Sequence, residues 1–314
     1  MTLATRKLTG SEVRLSEIGL GCATLAFDAT PTALAGSRDM LTAAYEAGMR
    51  YFDTAPFYGR GLSERLVGDA LRGRDYILSS KVGRILHPEG SAPTHMPFNV
   101  TFDYSYDGIM RSVEDSFQRL GLCKIDILYA HDLGNHTHGD DADKHFRDFF
   151  EGGYRALSEL RATGVVEAIG LGVNEVEVCE QAMKHGDFDL FLLAGRYTLL
   201  ERTDALEFFD ACADANTDIV IGGPFNSGLL VGGGTYNYRA IPDDIALRHR
   251  ILLDYCRAQE VDIGAAALQF PLRPSVVKSV IPGPKNTTEF QQIQRWKDIE
   301  IPDQFWAGLK DLSQ

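Results

Sequence analysis

Short apolar runs alternate along this chain with longer stretches in which apolar residues return every three to four positions. That is the pattern of buried strands separated by amphipathic helices. The runs are Ile18–Cys22, Met49–Asp53, Tyr76–Ser80, Ile125–Tyr129, Ala168–Leu171, Leu190–Leu193, Asp218–Ile221 and Val277–Ile281. Each is followed by a stretch of helical periodicity, near residues 35–47, 63–72, 107–120, 152–163, 175–185, 204–215, 243–259 and 287–297. Repeated strand–helix alternation makes a parallel sheet, and eight repeats fit an α/β fold, the closed (β/α)8 TIM barrel. At this length a barrel is one domain, spanning 1–314. An open doubly wound sheet is the alternative, but no GxGxxG follows the first run. Ahead of that run, a Thr-Gly-Ser turn between two extended pieces from Arg6 to Ser16 predicts an N-terminal β-hairpin capping the bottom of the barrel.

Three connections exceed ordinary loop length: 82–106, 132–149 and 228–242. All leave the carboxyl ends of strands, where long loops serve as lids or binding loops. The first carries His87, His95, Phe98, Phe102, Tyr104 and Tyr106, and the third is glycine-rich with Tyr236 and Tyr238. For 132–149, dominated by Gly, Asp and His, a disordered surface excursion is the competing reading.

Composition narrows the function classes. The formal charge of −13 argues against phosphate-backbone binding and against anionic membrane surfaces, so neither nucleic acid nor membrane is an expected partner. No run of about 18 uncharged apolar residues exists, and Met1–Lys7 lacks the apolar core of a signal peptide; a cytoplasmic location is expected. Cys22, Cys123, Cys179, Cys212 and Cys256 lie far apart with no CxxC pair. Neither a metal site nor a disulfide framework is suggested, and most of the five read as small buried hydrophobes.

The chemistry concentrates in 51–64. Met49–Asp53 ends a strand, Pro56 and Gly59 break it, and Ser63 with Glu64 favours a helix start. Asp53 and Tyr58 are thereby set on a loop at the carboxyl end of a strand. Lys81 ends the third predicted strand and His131 the fourth. Singly these are ordinary: an Asp before a Pro-containing turn is often a cap, a lone Lys is usually solvated, a lone His usually structural. In a barrel, however, adjacent strand ends converge on one mouth. There, an ammonium beside a phenol lowers the phenol pKa from about 10, a carboxylate holds the ammonium, and an imidazole clamps a substrate oxygen.

Gly19-Leu-Gly21, Asp53-Thr-Ala with Tyr58-Gly, Ser80-Lys81-Val, His131-Asp132, Ile169-Gly170-Leu-Gly172-Val-Asn174 and Ile281-Pro-Gly283 together resemble the aldo-keto reductase family over nearly the whole chain. The resemblance implies a barrel without a Rossmann fingerprint, a tetrad of Asp53, Tyr58, Lys81 and His131, and a nicotinamide cofactor across the carboxyl face. Leu193–Leu200 and Tyr236-Asn-Tyr238 look like the branch that oxidises free aldoses or pyridoxal. The implied activity is oxidation of an aldose at C1 to the aldonolactone, with Tyr58 as proton-transfer group. Pyridoxal 4-dehydrogenase and NADPH-linked aldehyde or ketone reductase are alternatives within the family; a redox-sensing cofactor-binding subunit is the non-enzymatic one.

Two positions depart from the family pattern. Ala194 stands where many members carry a nicotinamide-binding Gln, and Gly222-Gly-Pro224 replaces a Tyr-Ser-Pro phrase whose Tyr stacks on the nicotinamide. Asn174 and Phe225 are the expected substitutes. Pro224, Asn226, Ser227, Gly228 and Leu229 offer small residues and backbone donors for a diphosphate. Gly283, Lys285 and Glu289 open the last helix, which alternatively is a capped surface helix. With Gly21, Asp53 and Asn174, these are the expected cofactor contacts. Glu289 replaces an Arg found in NADP-preferring members, which favours NAD. Specificity is expected from the long loops and from Phe57, Arg84 and Arg196.

Overall fold

The computed structural model describes residues 4–90, 96–237, 239–310 and 312. In chain order the strands are β1 (Thr5–Lys7), β2 (Arg14–Ser16), β3 (Leu20–Gly21), β4 (Tyr51–Asp53), β5 (Ile77–Val82), β6 (Arg84–Pro88) and β7 (Phe98–Phe102). They continue with β8 (Ile127–His131), β9 (Ala168–Val173), β10 (Leu190–Ala194), β11 (Asp218–Gly222) and β12 (Val277–Ile281). Eight of them form one parallel sheet in the order β3-β4-β5-β8-β9-β10-β11-β12. The sheet closes on itself just ahead of β3, where Ile18 bridges Val280 in parallel, Gly19 N–H donates to Val280 O at 3.0 Å and Gly21 N–H to Pro282 O at 2.9 Å. This is the expected (β/α)8 barrel. Its strands read as unbroken apolar runs because one face meets the helices and the other the packed interior.

The hairpin β1–β2 plugs the bottom. Leu8, Val13 and Leu15 pack with Tyr51, Ile127, Tyr129, Leu190, Val220 and Ile281 inside the barrel. Thr9 donates through its N–H (2.6 Å) and hydroxyl (3.0 Å) to the Asp218 carboxylate, which also pairs with Lys278 at 3.3 Å. The interior is thus filled from below by the hairpin.

Several details differ from the sequence expectation. The first run shortens to Leu20–Gly21, its earlier residues serving the barrel seam. Outside the expected strand–helix repeats and the long connections, helices also form at Ile263–Gln269 and Asp303–Leu309. The first shows no helical periodicity because Gly264 to Leu268 are all buried, yet the Asp262 side chain caps it by accepting from Gly264 N–H and Ala265 N–H. Of the long connections, 82–106 contains the antiparallel ribbon β6–β7, pairing Arg84 with Phe102 through Pro88 with Phe98. Residues 132–149 are helical in Asn135–His138 and Ala142–Asp148, not an irregular excursion. There Phe102, Tyr104, His138 and His145 cluster, with the two imidazole centroids 4.2 Å apart. The glycine-rich connection forms a short turn at Leu229–Val231 and a bridge between Tyr236 and Arg239. His95 and Tyr238 lie outside the described residues. Among the described residues no helix is long and apolar enough to cross a membrane, and no cluster of His, Cys, Asp or Glu is arranged to hold a metal ion.

Candidate active site

Asp53 ends β4, Lys81 lies near the end of β5 and His131 ends β8, and β4, β5 and β8 are neighbours in the barrel. All three side chains are buried. Lys81 Nζ donates to Asp53 Oδ2 at 2.7 Å, to Oδ1 at 2.9 Å and to Thr54 O at 3.0 Å. Burying an ammonium and a carboxylate together is tolerable only when each is fully hydrogen-bonded, and three acceptors for three protons meets that condition. Below them runs a directed chain. Ser79 Oγ donates to Asp53 Oδ1 (2.7 Å), so the Tyr51 hydroxyl must donate to Ser79 (3.1 Å) and Tyr129 to Tyr51 (3.3 Å).

Tyr58 enters the site from the turn Tyr58–Gly61, whose Gly59, Arg60 and Gly61 have φ of 56°, 53° and 89°. Left-handed backbone at three successive positions reverses the chain within one turn, and glycine takes two of them without steric cost. The ring centroid of Tyr58 lies 4.7 Å from Lys81 Nζ and 5.8 Å, edge-on, from the His131 ring. Burial holds the His131 imidazole well below its ordinary pKa, helped by the nearby charges of Arg84 and Lys81. At neutral pH the ring is uncharged and has one N–H to give. Tyr58, Lys81 and His131 open onto a cavity of about 910 Å³, which Asp132, Asn174 and Ala194 also line. The four residues expected to act together do converge. Proton-transfer groups, a fixed cation and a neutral donor at one mouth suit the interconversion of an alcohol and a carbonyl.

The aldo/keto reductase family model matches residues 17–314. The chain belongs to that family. Its sequence is 39% identical to a pyridoxal 4-dehydrogenase of Microbacterium luteolum, over 97% of this chain and 96% of the relative. It is 38% identical to a D-threo-aldose 1-dehydrogenase of a Pseudomonas species, over 87% and 86%. Among solved structures, an aldo-keto reductase of Bacillus halodurans in its holo form superposes with a TM-score of 0.77 at 26% identity, covering 99% of this chain and 97% of that one.

Aldo-keto reductases use nicotinamide cofactors, and the expected contacts fall into three groups. Asn174 lies in the cavity: its Nδ2 donates to Ala194 O at 3.0 Å, which sets the carboxamide against the strand end that lacks the family's Gln. Behind it, Arg196 Nε donates to Asn174 O (2.9 Å), Arg196 pairs with Glu201 (2.7 Å), and the Tyr236 hydroxyl donates to Glu201. This buttress ties the glycine-rich connection to Asn174. Arg196 is accordingly a support of the site, and it does not line the cavity.

The second group, Pro224 to Leu229, forms the turn after β11. Asn226, Ser227 and Gly228 take φ of 47°, 57° and 95°, and the fully buried Asn226 has both amide atoms without a partner. A buried carboxamide left unsatisfied is costly unless a ligand supplies its partners, so this turn fits a polar group such as a dinucleotide. Phe225 packs on Trp296 at 5.4 Å, outside the lining of the cavity. The third group lies at the barrel seam and the last helix. Gly21 and Gly283 approach closely: a Cβ on Gly283 would come within 3.3 Å of Gly21 O. The helix Thr287–Lys297 is capped by Asn286, which accepts from Glu289 N–H at 2.9 Å, while Glu289 Oε2 accepts from Lys285 N–H at 2.8 Å. Asn286 and Glu289 therefore cap an exposed helix start, and neither is among the residues that line the tetrad's cavity.

Sequence reasoning missed two supports. Ser80 donates to the buried Glu64 at 2.8 Å, and Glu64 pairs with Arg119 at 2.5 Å, anchoring the back of β5 next to Lys81. Tyr104 donates to His131 O at 2.6 Å. Its ring fills the space over Gly83 (φ 95°), where a Cβ would come within 2.3 Å of it. The inward–outward alternation of Ser79, Ser80 and Lys81 was the available signal for Glu64; nothing local marks Tyr104.

Proposed function

We propose that this aldo-keto reductase oxidises a cyclic hemiacetal, an aldose at C1 to its aldonolactone, with NAD as the preferred acceptor. The observation that carries this reading is the buried Asp53–Lys81 pair, 4.7 Å from the Tyr58 ring and flanked by a neutral imidazole, at the mouth of a cavity able to hold a sugar. Nicotinamide, when bound, supplies the hydride acceptor, and Asn174, the turn 224–229 and the seam at Gly21 and Gly283 are the residues that would hold it. Tyr58 takes the proton from the substrate hydroxyl. The cation at Lys81 favours the phenolate form that this requires, and Asp53 holds Lys81 in place through two hydrogen bonds. His131 donates its N–H to the substrate oxygen and carries no charge that would compete with the departing proton.

Oxidation of pyridoxal is the second reading, favoured by a pyridoxal 4-dehydrogenase being similar over nearly the entire chain. Pyridoxal also closes to a cyclic hemiacetal, so the same proton path serves both. A panel of aldoses and pyridoxal assayed with NAD+ at the nicotinamide absorbance band separates the two. In either case Tyr58→Phe should lower kcat by about 10²-fold or more while leaving nicotinamide binding intact. Near-native turnover in that variant removes Tyr58 from the proton-transfer role.

A further inference from the structure

Asp132 follows His131 directly and holds a backbone conformation uncommon for a side-chain-bearing residue, with φ of 51°. Its N–H donates to Gly172 O at 2.9 Å, which fixes that conformation at the end of β8. The effect is to turn a carboxylate into the catalytic cavity, with Oδ2 3.5 Å from His131 Nε2. The same Oδ2 pairs with the buried guanidinium of Arg84, which is stacked 4.0 Å from the Phe57 ring centroid. Arg84 itself is carried into place by β6, immediately after the left-handed Gly83. A carboxylate offers about four acceptor sites. Arg84 and the long contact to His131 both fall on Oδ2, so among the described residues Oδ1 keeps its acceptor sites in a side chain that lines the cavity.

An oxygen that accepts from His131 Nε2 sits beside Asp132 Oδ2. A hydroxyl one carbon away from the reacting carbon can then donate to that carboxylate. A substrate lacking the hydroxyl leaves a desolvated acceptor without a donor, and this is the condition under which polar sites discriminate most strongly. We propose that Asp132, held by Arg84, selects substrates bearing a hydroxyl on the carbon adjacent to the one oxidised or reduced. The proposal rests on the oxidoreductase reading above and narrows its substrate class to α-hydroxylated carbonyls and their hemiacetals.

The test uses the full-length enzyme in the reductive direction with reduced nicotinamide and two aldehydes that differ by a single hydroxyl, 2-hydroxypropanal and propanal. The native enzyme should favour 2-hydroxypropanal by about 10-fold or more in kcat/KM, the worth of one hydrogen bond to a charged group. Asp132→Asn should lower that ratio several-fold, mainly through KM, because Arg84 engages the amide oxygen and the NH2 facing the substrate replaces a charge-assisted hydrogen bond from the hydroxyl by a weaker neutral one to it. Asn also tolerates left-handed backbone, and thermal unfolding with nicotinamide fluorescence verifies that the variant is folded and binds cofactor. Equal use of the two aldehydes by the native enzyme, or an equal loss for both in Asp132→Asn, overturns the proposal whatever the fate of the variant's stability. Failure of the aldose and pyridoxal panel alone would sink the hemiacetal reading without touching the aldehyde ratio.

Discussion

At Lys81 three protons meet three acceptors, two of them on a carboxylate that is itself out of reach of water. Replacing Lys81 with Met therefore has two separable consequences. Asp53 then keeps the Ser79 hydroxyl as a donor but loses its countercharge, and an uncompensated buried carboxylate should cost about 3–5 kcal/mol of stability, read by denaturant unfolding. Loss of a cation beside a phenol raises the phenol's pKa. The phenolate that accepts the substrate proton then forms only at higher pH, and the rising limb of the oxidation profile moves to the alkaline side. An unchanged limb in a folded Lys81→Met enzyme would show that Lys81 has no part in setting the proton acceptor. At this scale the sequence was informative about which residues converge, since Asp53, Tyr58, Lys81 and His131 each end or follow an apolar run. It was silent on their supports. Thr54 contributes a backbone carbonyl and Tyr104 arrives from 27 positions before His131, and neither relation leaves a periodic trace.

The start of the helix Thr287–Lys297 joins a folding contact to a position proposed for cofactor recognition. Glu289 stabilises the helix start by accepting from Lys285 N–H, and the sequence expectation sets the same carboxylate where an Arg would address a 2′-phosphate in NADP-preferring family members. Glu289→Arg should therefore lose about 1 kcal/mol, visible as a small drop in melting temperature. Independently, the ratio of catalytic efficiencies should move from NAD toward NADP, because a cation replaces an anion near a phosphate dianion. A shift in stability with no change in the cofactor ratio would leave Glu289 a cap alone. Other elements were less legible for physical reasons. The ribbon β6–β7 is partly exposed and pairs only with itself, so it lacks the apolar runs of the barrel. The helix Ile263–Gln269 is buried almost all round, which erases the polar face by which helices are recognised.

Over the whole molecule the two ends of the barrel divide their tasks. The bottom is a plug: Leu8, Val13 and Leu15 fill it, and Asp218 fastens the hairpin turn through two hydrogen bonds from Thr9. Asp218→Ala should lower stability by about 1–3 kcal/mol by orphaning the Thr9 N–H, with kcat at 25 °C unchanged, since none of these groups reaches the upper cavity. A fall in kcat at full folding would contradict that separation. The sequence by itself determined the barrel, its hairpin, the order of its strands and the four residues at its mouth. Periodicity reports which faces are buried, and the carboxyl ends of parallel strands in a closed sheet have one place to converge. Only the tertiary structure decided which distant side chains meet there. Arg84 pairs with Asp132, Asn174 is braced by Arg196, Glu201 and Tyr236, and Glu289 closes a cap. Such contacts depend on side-chain direction at positive-φ turns and on loops folding back across the mouth. These are properties of packing in three dimensions that no linear pattern encodes.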